Sequence, residues 1–304
     1  MINRVIQLED ITAMPAANTA GTFVINCPSG LRYKDITLKL KNSGNTTFNS
    51  SSITNVEARL GKGIQRRCSG VQLDAINSLN GASFASQAYG TSGTDYERHL
   101  KLYFEEPWRT RVRNNSVDPN ALGWKTGWAG QNNALQIAVT VAALGAGVSP
   151  SIAASANVSD DDDGKGNAII RWNQDNATPN GSLVQLANLA NGLSNSDRIV
   201  QLSVFDGTST AGVISTIRLE LGPVVIKQDQ TLRALISELI GAGMAPATAN
   251  AIANAAHLVF DKNDSLDDSI PVGFVSSLLK LTYSTSAVGA VPYVTQVFGA
   301  PATS

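Results

Sequence analysis

Charge is scarce in this sequence. Asp, Glu, Lys and Arg make up 15% of its 304 residues, against roughly 25% in an average soluble protein. The 23 basic and 24 acidic residues leave a net charge of −1. Recognition of nucleic acid normally needs a basic footprint, so no sequence-specific nucleic-acid partner is expected. Cysteine and histidine are equally sparse, with two of each. Cys27 and Cys68 are expected to be two buried thiols rather than a disulfide framework. The four residues Cys27, Cys68, His99 and His257 are too scattered for a zinc clip. No apolar run is long enough to cross a bilayer. The opening MINRVIQLEDIT lacks the charged start, apolar middle and cleavage site of a signal peptide, which predicts synthesis in a cytoplasm without export by that route. The sequons at Asn45, Asn114 and Asn176 then follow from an Asn/Ser/Thr-rich composition. HExxH, GxSxG, CxxC and phosphate-loop motifs are all missing, and the GAG triplets at 145–147 and 241–243 are lone glycine pairs in turns. No enzyme is expected.

What the chain does contain is apolar and small polar residues. Hydrophobic content of 43% supports substantial cores, and a surface of Ser, Thr, Asn, Ala and Gly suits a chain that hides against copies of itself. A neutral, soluble, β-rich protein is the plainer alternative. Strand patterns come early: GTFVIN (21–26), KDITLKLK (34–41), NVEARL (55–60), RHLKLYF (98–104) and LQIAVTVAAL (135–144), separated by Gly, Pro, Asn and Ser clusters. In DITLKLK, Ile36, Leu38 and Leu40 share one face and Lys39 and Lys41 the other, as in a strand with one wet side. GAGVSPSIAASANVSDDDDGKGN then reads as a linker or long surface connection.

Strands resume with NAIIRW (167–172), DRIVQLSVFD (197–206), GVISTIRLEL (212–221), VVIK (224–227), HLVFD (257–261), SSLLKLTYS (276–284) and PYVTQVF (292–298). Two halves follow, 1–150 and 151–304. Each is interrupted by a helix. VQLDAINSLNG places Leu73, Ile76 and Leu79 on one face with Gly81 as a stop. TLRALISELIGAG places Leu232, Leu235, Ile236, Leu239 and Ile240 on one face, with a Gly243 stop and a Pro246 restart. The pattern predicts an all-β protein of two tandem jelly-roll sandwiches, each with a short helical insertion between late strands.

The order of these features resembles the major coat protein of corticovirus-like phages, tailless icosahedral bacteriophages with an internal membrane. The resemblance rests on the NCPSG turn at 26–30, KDITLKL, LDAIN (73–77), RHLKLYF, an Arg-rich connection, LQIAVTVA, VIKQDQTLRALISEL, HLVFD and the closing SSLLKLTYSTSAVGAVPYVTQVF. It implies a double jelly roll whose trimers form pseudo-hexagonal capsomers. It also implies, as partners, other copies, vertex and membrane proteins and the lipid beneath, with the chain residing in the virion shell. The helical interruption at 228–256 and the Asp run at 160–163 depart from the family pattern. A carbohydrate-binding jelly roll, as in a phage spike or lectin, is the rival reading. A glycan hydrolase on a β-sandwich is a third and would need a carboxylate pair.

A few motifs invite specific roles. Asp160, Asp161, Asp162 and Asp163 would suit calcium as crowded carboxylates. An EF-hand fails, because Ile170 stands where its Glu belongs, and a solvated acidic linker is the plainer reading. DKNDSLDD (261–268) lacks the turn glycine and terminal Glu and reads as a polar turn. Arg109, Arg111 and Arg113 alternate, so a strand would aim all three one way. They would face lipid phosphate, packaged DNA or an acidic neighbour, or pair with Glu105 or Glu106 of the same trimer. Trp124 and Trp128 in GWKTGW fit a sugar platform, a barrel plug or a subunit contact.

Overall fold

The computed structural model describes residues 3–8, 19–42, 48–81, 88–89, 96–106, 108, 122–127, 134–144, 150–160, 168–178, 182–186, 189, 192–205, 216–246, 255–261, 268–274, 279–284 and 289–302. The first half holds β1 (Asn3–Gln7), β2 (Gly21–Asn26), β3 (Arg32–Asn42), β4 (Ile53–Leu60), β5 (Gly63–Cys68), helix α1 (Gly70–Leu79), the two-residue β6 (Ala88–Tyr89), β7 (Tyr96–Tyr103), the two-residue β8 (Trp124–Lys125), β9 (Leu135–Val141) and β10 (Pro150–Ser159). The second holds β11 (Ile169–Ala177), β12 (Leu183–Leu186), β13 (Arg198–Phe205), β14 (Thr216–Leu221), β15 (Val224–Thr231), helix α2 (Leu232–Gly241), β16 (Ala255–Val259), the two-residue β17 (Ile270–Pro271), β18 (Leu279–Ser284) and β19 (Val291–Gly299).

Hydrogen bonding orders the long strands β1-β10-β3-β7 in one sheet, β16-β13-β19-β11-β5-β4-β9-β2 in a second and β12-β18-β14-β15 in a third. The first sheet and the β5-β4-β9-β2 half of the second enclose one core. Ile36, Leu38, Leu40, Leu100 and Ile152 meet Ile25, Val56, Ala58, Ile137 and Val139 there. The other half of the second sheet and the third sheet enclose another, where Ile199, Leu202, Val204 and Leu258 meet Val184, Leu186, Ile217, Leu219 and Leu281. Long strands visit the paired sheets in the same order in each half, and each helix follows the fifth long strand. This is the jelly-roll path traced twice, as the repeated strand-helix-strand pattern predicts.

One expected linker is a strand instead. Pro150–Ser159 pairs with β3 on one side and β1 on the other, so residues 151–159, grouped by composition with the second half, are hydrogen-bonded into the first sheet. Their small side chains still alternate: Ile152, Ala154, Ala156 and Val158 are buried and fit where a bulkier strand would crowd the core.

Helix α1 begins with a capping box. Ser69 Oγ accepts from the Gln72 N–H at 3.2 Å, and Gln72 Oε1 accepts from the Ser69 N–H at 2.8 Å, which satisfies two otherwise orphaned donors. Leu73 and Ile76 enter the first core as expected, but Leu79 enters the second. Asp74 and Asn77 are buried as well, and Asn77 Nδ2 donates to the Lys101 carbonyl at 2.7 Å. The helix therefore sits between the barrels. Its last carbonyl, that of Leu79, accepts from the Ala245 N–H at 2.8 Å, just past α2. The restart predicted at Pro246 runs into residues 247–254, outside the described ones.

The barrels share a sheet because β11 lies parallel to β5, with Trp172 opposite Arg66. Arg66 is 3% exposed. Its Nε donates to the Ile170 carbonyl at 3.0 Å, and one terminal nitrogen donates to the Tyr103 carbonyl. The guanidinium carbon stands 4.8 Å from the ring centre of Trp172, 5.4 Å from that of Trp124 and 5.5 Å from that of Phe104. The carboxylate of Glu106, itself 1% exposed, lies 3.8 Å away. A second tie comes from the tail: the Gln65 side chain accepts from the Ala302 N–H at 2.8 Å and donates to its carbonyl at 2.9 Å. Gly63 makes room for this crossing, since a Cβ there would stand 2.1 Å from the Ala302 oxygen.

The second barrel's half of the shared sheet is covered on both faces. Val200, Phe205, Ala255 and Val294 join the first core, and beside them Gln201, Ser203, His257 and Gln296 form a buried polar seam. Ser203 Oγ lies 2.8 Å from His257 Nδ1 and accepts from Gln201 Nε2 at 2.9 Å. Burial pushes the His257 pKa down to about 4.

Two predictions follow from this junction. Replacing Arg66 by Met removes a buried ion pair with Glu106 and the donors to two buried carbonyls, so urea denaturation should register a loss of about 3–5 kcal/mol, with partial recovery when Glu106→Gln is added. For His257 the unfolded chain binds the proton more tightly than the folded one, so its contribution is intact above pH 6.5 and is lost as pH falls toward 4. Relative to a His257→Gln variant, the protein should lose about 2 kcal/mol between pH 7.5 and pH 5, read from denaturation midpoints at the two values.

Candidate assembly surface

Nothing among the described residues is arranged for catalysis. Ser203 and His257 are within hydrogen-bond reach, yet at 0% and 1% exposure no substrate meets them. Cys27 and Cys68 are free and buried, as the sequence predicts, and burial pushes both thiols up to about 12. They are therefore protonated and unreactive at neutral pH. No group of three or more His, Cys, Asp or Glu side chains among the described residues is placed to hold a metal ion.

Few of the residues singled out in the sequence are among the described ones. Asp160 is half exposed and pairs with Arg4 at 2.9 Å, which ties the end of β10 to β1. Asp161, Asp162 and Asp163 lie outside the described residues, as do Arg109, Arg111, Arg113, Trp128 and 262–267 of the DKNDSLDD turn. Trp124 is described, and its position selects the plug among the three alternatives. It is 0% exposed, with its ring centre 4.3 Å from that of Phe104 and the Arg66 guanidinium close by. The side chain plugs the barrel, and a ring without exposure offers neither a sugar platform nor a subunit contact. Glu105 pairs with Lys34 at 3.3 Å, and Glu106 faces Arg66.

The outer face of the first sheet is polar and internally neutralised. Lys101 reaches Asp35 at 3.2 Å, Asn157 Nδ2 donates to Asp35 at 3.0 Å, and Lys41 lies 3.7 Å from Glu97, which also meets His99. Burial raises the Glu97 pKa, but the His99 contact and neighbouring lysines outweigh it and hold the carboxyl below its ordinary range. A cavity of about 250 Å³ opens on this face between Asn3, Lys34, Asp35, Tyr103, Glu105 and Asn157.

Apolar exposure is concentrated elsewhere. Among the described residues, the large hydrophobic ones left exposed are Val5, Val24, Leu183, Val224, Ile226 and Ile240. Val5 is on β1, the end strand of the first sheet, and Val24 on β2, the end strand of the second. Leu183 is on β12 and Val224 and Ile226 on β15, the two ends of the third. Ile240 is on α2, which is fastened to β15 by Lys227 Nζ and Glu238 at 2.7 Å. Soluble proteins usually protect free sheet edges with charge or proline. Here the edge strands expose Val, Ile and Leu beside Arg4 on β1 and Lys227 on β15, both of which are paired within the chain, and such apolar exposure suits edges covered in an assembly. Local sequence gave no warning, because it does not say which strands end up terminal.

Comparison with known proteins agrees with this picture. The family model described as viral coat protein P2 N-terminal domain matches residues 6–159, just over half of the chain. The match ends where β10 ends. Among solved structures, the chain is similar to the major capsid protein P2 from bacteriophage PM2 at 14% identity and a TM-score of 0.73, over 99% of both chains. It is similar to a chain of the Sulfolobus turreted icosahedral virus structure at 14% identity and a TM-score of 0.66, over 98% of this chain and 91% of that one. PBCV-1 VP54, fitted into a reconstruction of the virophage Sputnik, matches at 10% identity and a TM-score of 0.60, over 98% and 93%. No curated protein matches the sequence. At these identities the solved structures carry the fold, a double jelly roll, and the family model carries the kinship: the chain belongs to the viral coat protein P2 family, a family of structural coat proteins.

Proposed function

We propose that this capsid protein builds its icosahedral shell as a homotrimer, each trimer forming one pseudo-hexagonal tile above a lipid layer. The observation that carries the reading is the pairing of two barrels of the same strand order in one continuous sheet. Three such subunits bring six similar barrels round one axis, so a trimer offers near-sixfold packing to its neighbours. The apolar sheet edges and the low charge suit a chain enclosed by copies of itself. The burial of Trp124 takes one of the two indoles of the sugar-binding alternative out of reach of a ligand. Calcium remains a candidate lattice ion through the Asp160–Asp163 run, in which Asp160 also pairs with Arg4. Vertex proteins and the membrane are the remaining partners, and the alternation of Arg109, Arg111 and Arg113 is what supports contact with lipid phosphate.

Sedimentation of the purified chain should give a particle of 3 × 31.9 kDa, with hexagonal outlines in electron micrographs. A monomer at every concentration, also in the presence of membrane and the other virion proteins, would overturn the trimer. Replacing Arg109, Arg111 and Arg113 together by Gln should leave that mass unchanged and reduce co-flotation with anionic vesicles severalfold. Unchanged flotation would remove the arginine row from the membrane contact.

A further inference from the structure

The contact inside each chain predicts the contact between chains. Within the subunit, the fifth strand of the first barrel, β5, lies parallel beside the first strand of the second, β11. The corresponding strands left over are β15, the fifth of the second barrel, and β1, the first of the first barrel. Both are terminal strands of their sheets, with no further strand on their outer side among the described residues. Both carry exposed apolar side chains, Val224 at 60% and Ile226 at 43% on β15 and Val5 at 70% on β1. They end the third and first sheets, with the nine-stranded sheet between, so the two edges of one chain cannot meet each other. We infer that β15 of one copy runs parallel beside β1 of the next, repeating between copies the β5–β11 pairing within each.

Helix caps align the two fifth strands independently. Arg66 stands three residues before the Ser69 cap of α1, and Gln228 three residues before the Thr231 cap of α2. Arg66 is buried against β11, whereas Gln228 at the equivalent position is exposed. An exposed residue where its counterpart is a buried contact marks a surface awaiting its partner. On the other side, Val5 lies opposite Asn157 on the outer face of the first sheet, free of its own barrel's core. The contact is heterologous, joining two different edges. If each barrel-to-barrel step turns by about 60°, two steps per subunit close a ring after three copies. The inference rests on the trimer proposed above and names the strands that make it.

Cysteine cross-linking tests this. Cys27 and Cys68 are buried, so the native background is silent to a short bismaleimide. Val5→Cys with Ile226→Cys in one chain, or Val5→Cys with Gln228→Cys to cover a shift in register, should give covalent dimers and trimers and nothing larger. Each single variant should stay monomeric on a denaturing gel. Particles of three-chain mass in which neither double variant cross-links would overturn the strand assignment and leave the trimer standing. A ladder running past three would overturn the closed ring, and single chains in sedimentation would overturn both readings.

Discussion

One guanidinium, buried where the two halves meet, fixes the relation between them. Arg66 gives one hydrogen bond to a carbonyl of the second half, that of Ile170, and another to a carbonyl of the first, that of Tyr103. A buried charge is tolerated only when paired and hydrogen-bonded. Here the pairing comes from Glu106, and the faces of Phe104, Trp124 and Trp172 supply further electrostatic attraction. Because these groups come from β5, the segment after β7, β8 and β11, the arginine is satisfied only when both barrels are folded and docked. The parallel β5–β11 pair, the Gln65–Ala302 clasp and the placement of Leu79 in the second core all follow from that docking.

The surface divides along the same lines. Sheet faces carry charges that neutralise one another, as with Lys101 and Asp35 or Lys41 and Glu97, while the apolar residues gather at sheet edges. A monomer built this way would be prone to edge-to-edge association. A capsid subunit uses that tendency, provided the edges pair in one register and in one direction. Two barrels rigidly joined supply the direction, since every subunit then presents its fifth-strand edge on one side and its first-strand edge on the other.

Much of this was legible in the sequence where burial has a period. Ile36, Leu38 and Leu40 announced β3 by alternation, and Leu73, Ile76 and Leu79 announced α1 by helical spacing. The repeat of strands, helix and strands pointed to two jelly rolls. Failures came where side chains are small or polar inside. Ser, Ala and Asn in 150–159 disguised a central strand as a linker, although Ile152, Ala154, Ala156 and Val158 keep the period of two. GIQRRC does not announce β5, because Arg66 is charged and its counter-charge and carbonyl partners are set by chain segments 37 to 104 residues away. Trp124 left platform, plug and subunit contact open, because an indole in a Gly-rich stretch carries no sign of the Phe104 ring that covers it. Sheet edges, and hence the assembly surface, depend on strand order, which local pattern does not encode.

With Arg66 and the shared sheet at their junction, the two barrels form one cooperative body rather than two domains on a tether. Scanning calorimetry of the isolated chain tests this most directly. A single transition whose calorimetric and van't Hoff enthalpies agree per subunit is the predicted result. Two resolved transitions, with the first half melting independently of the second, would contradict it.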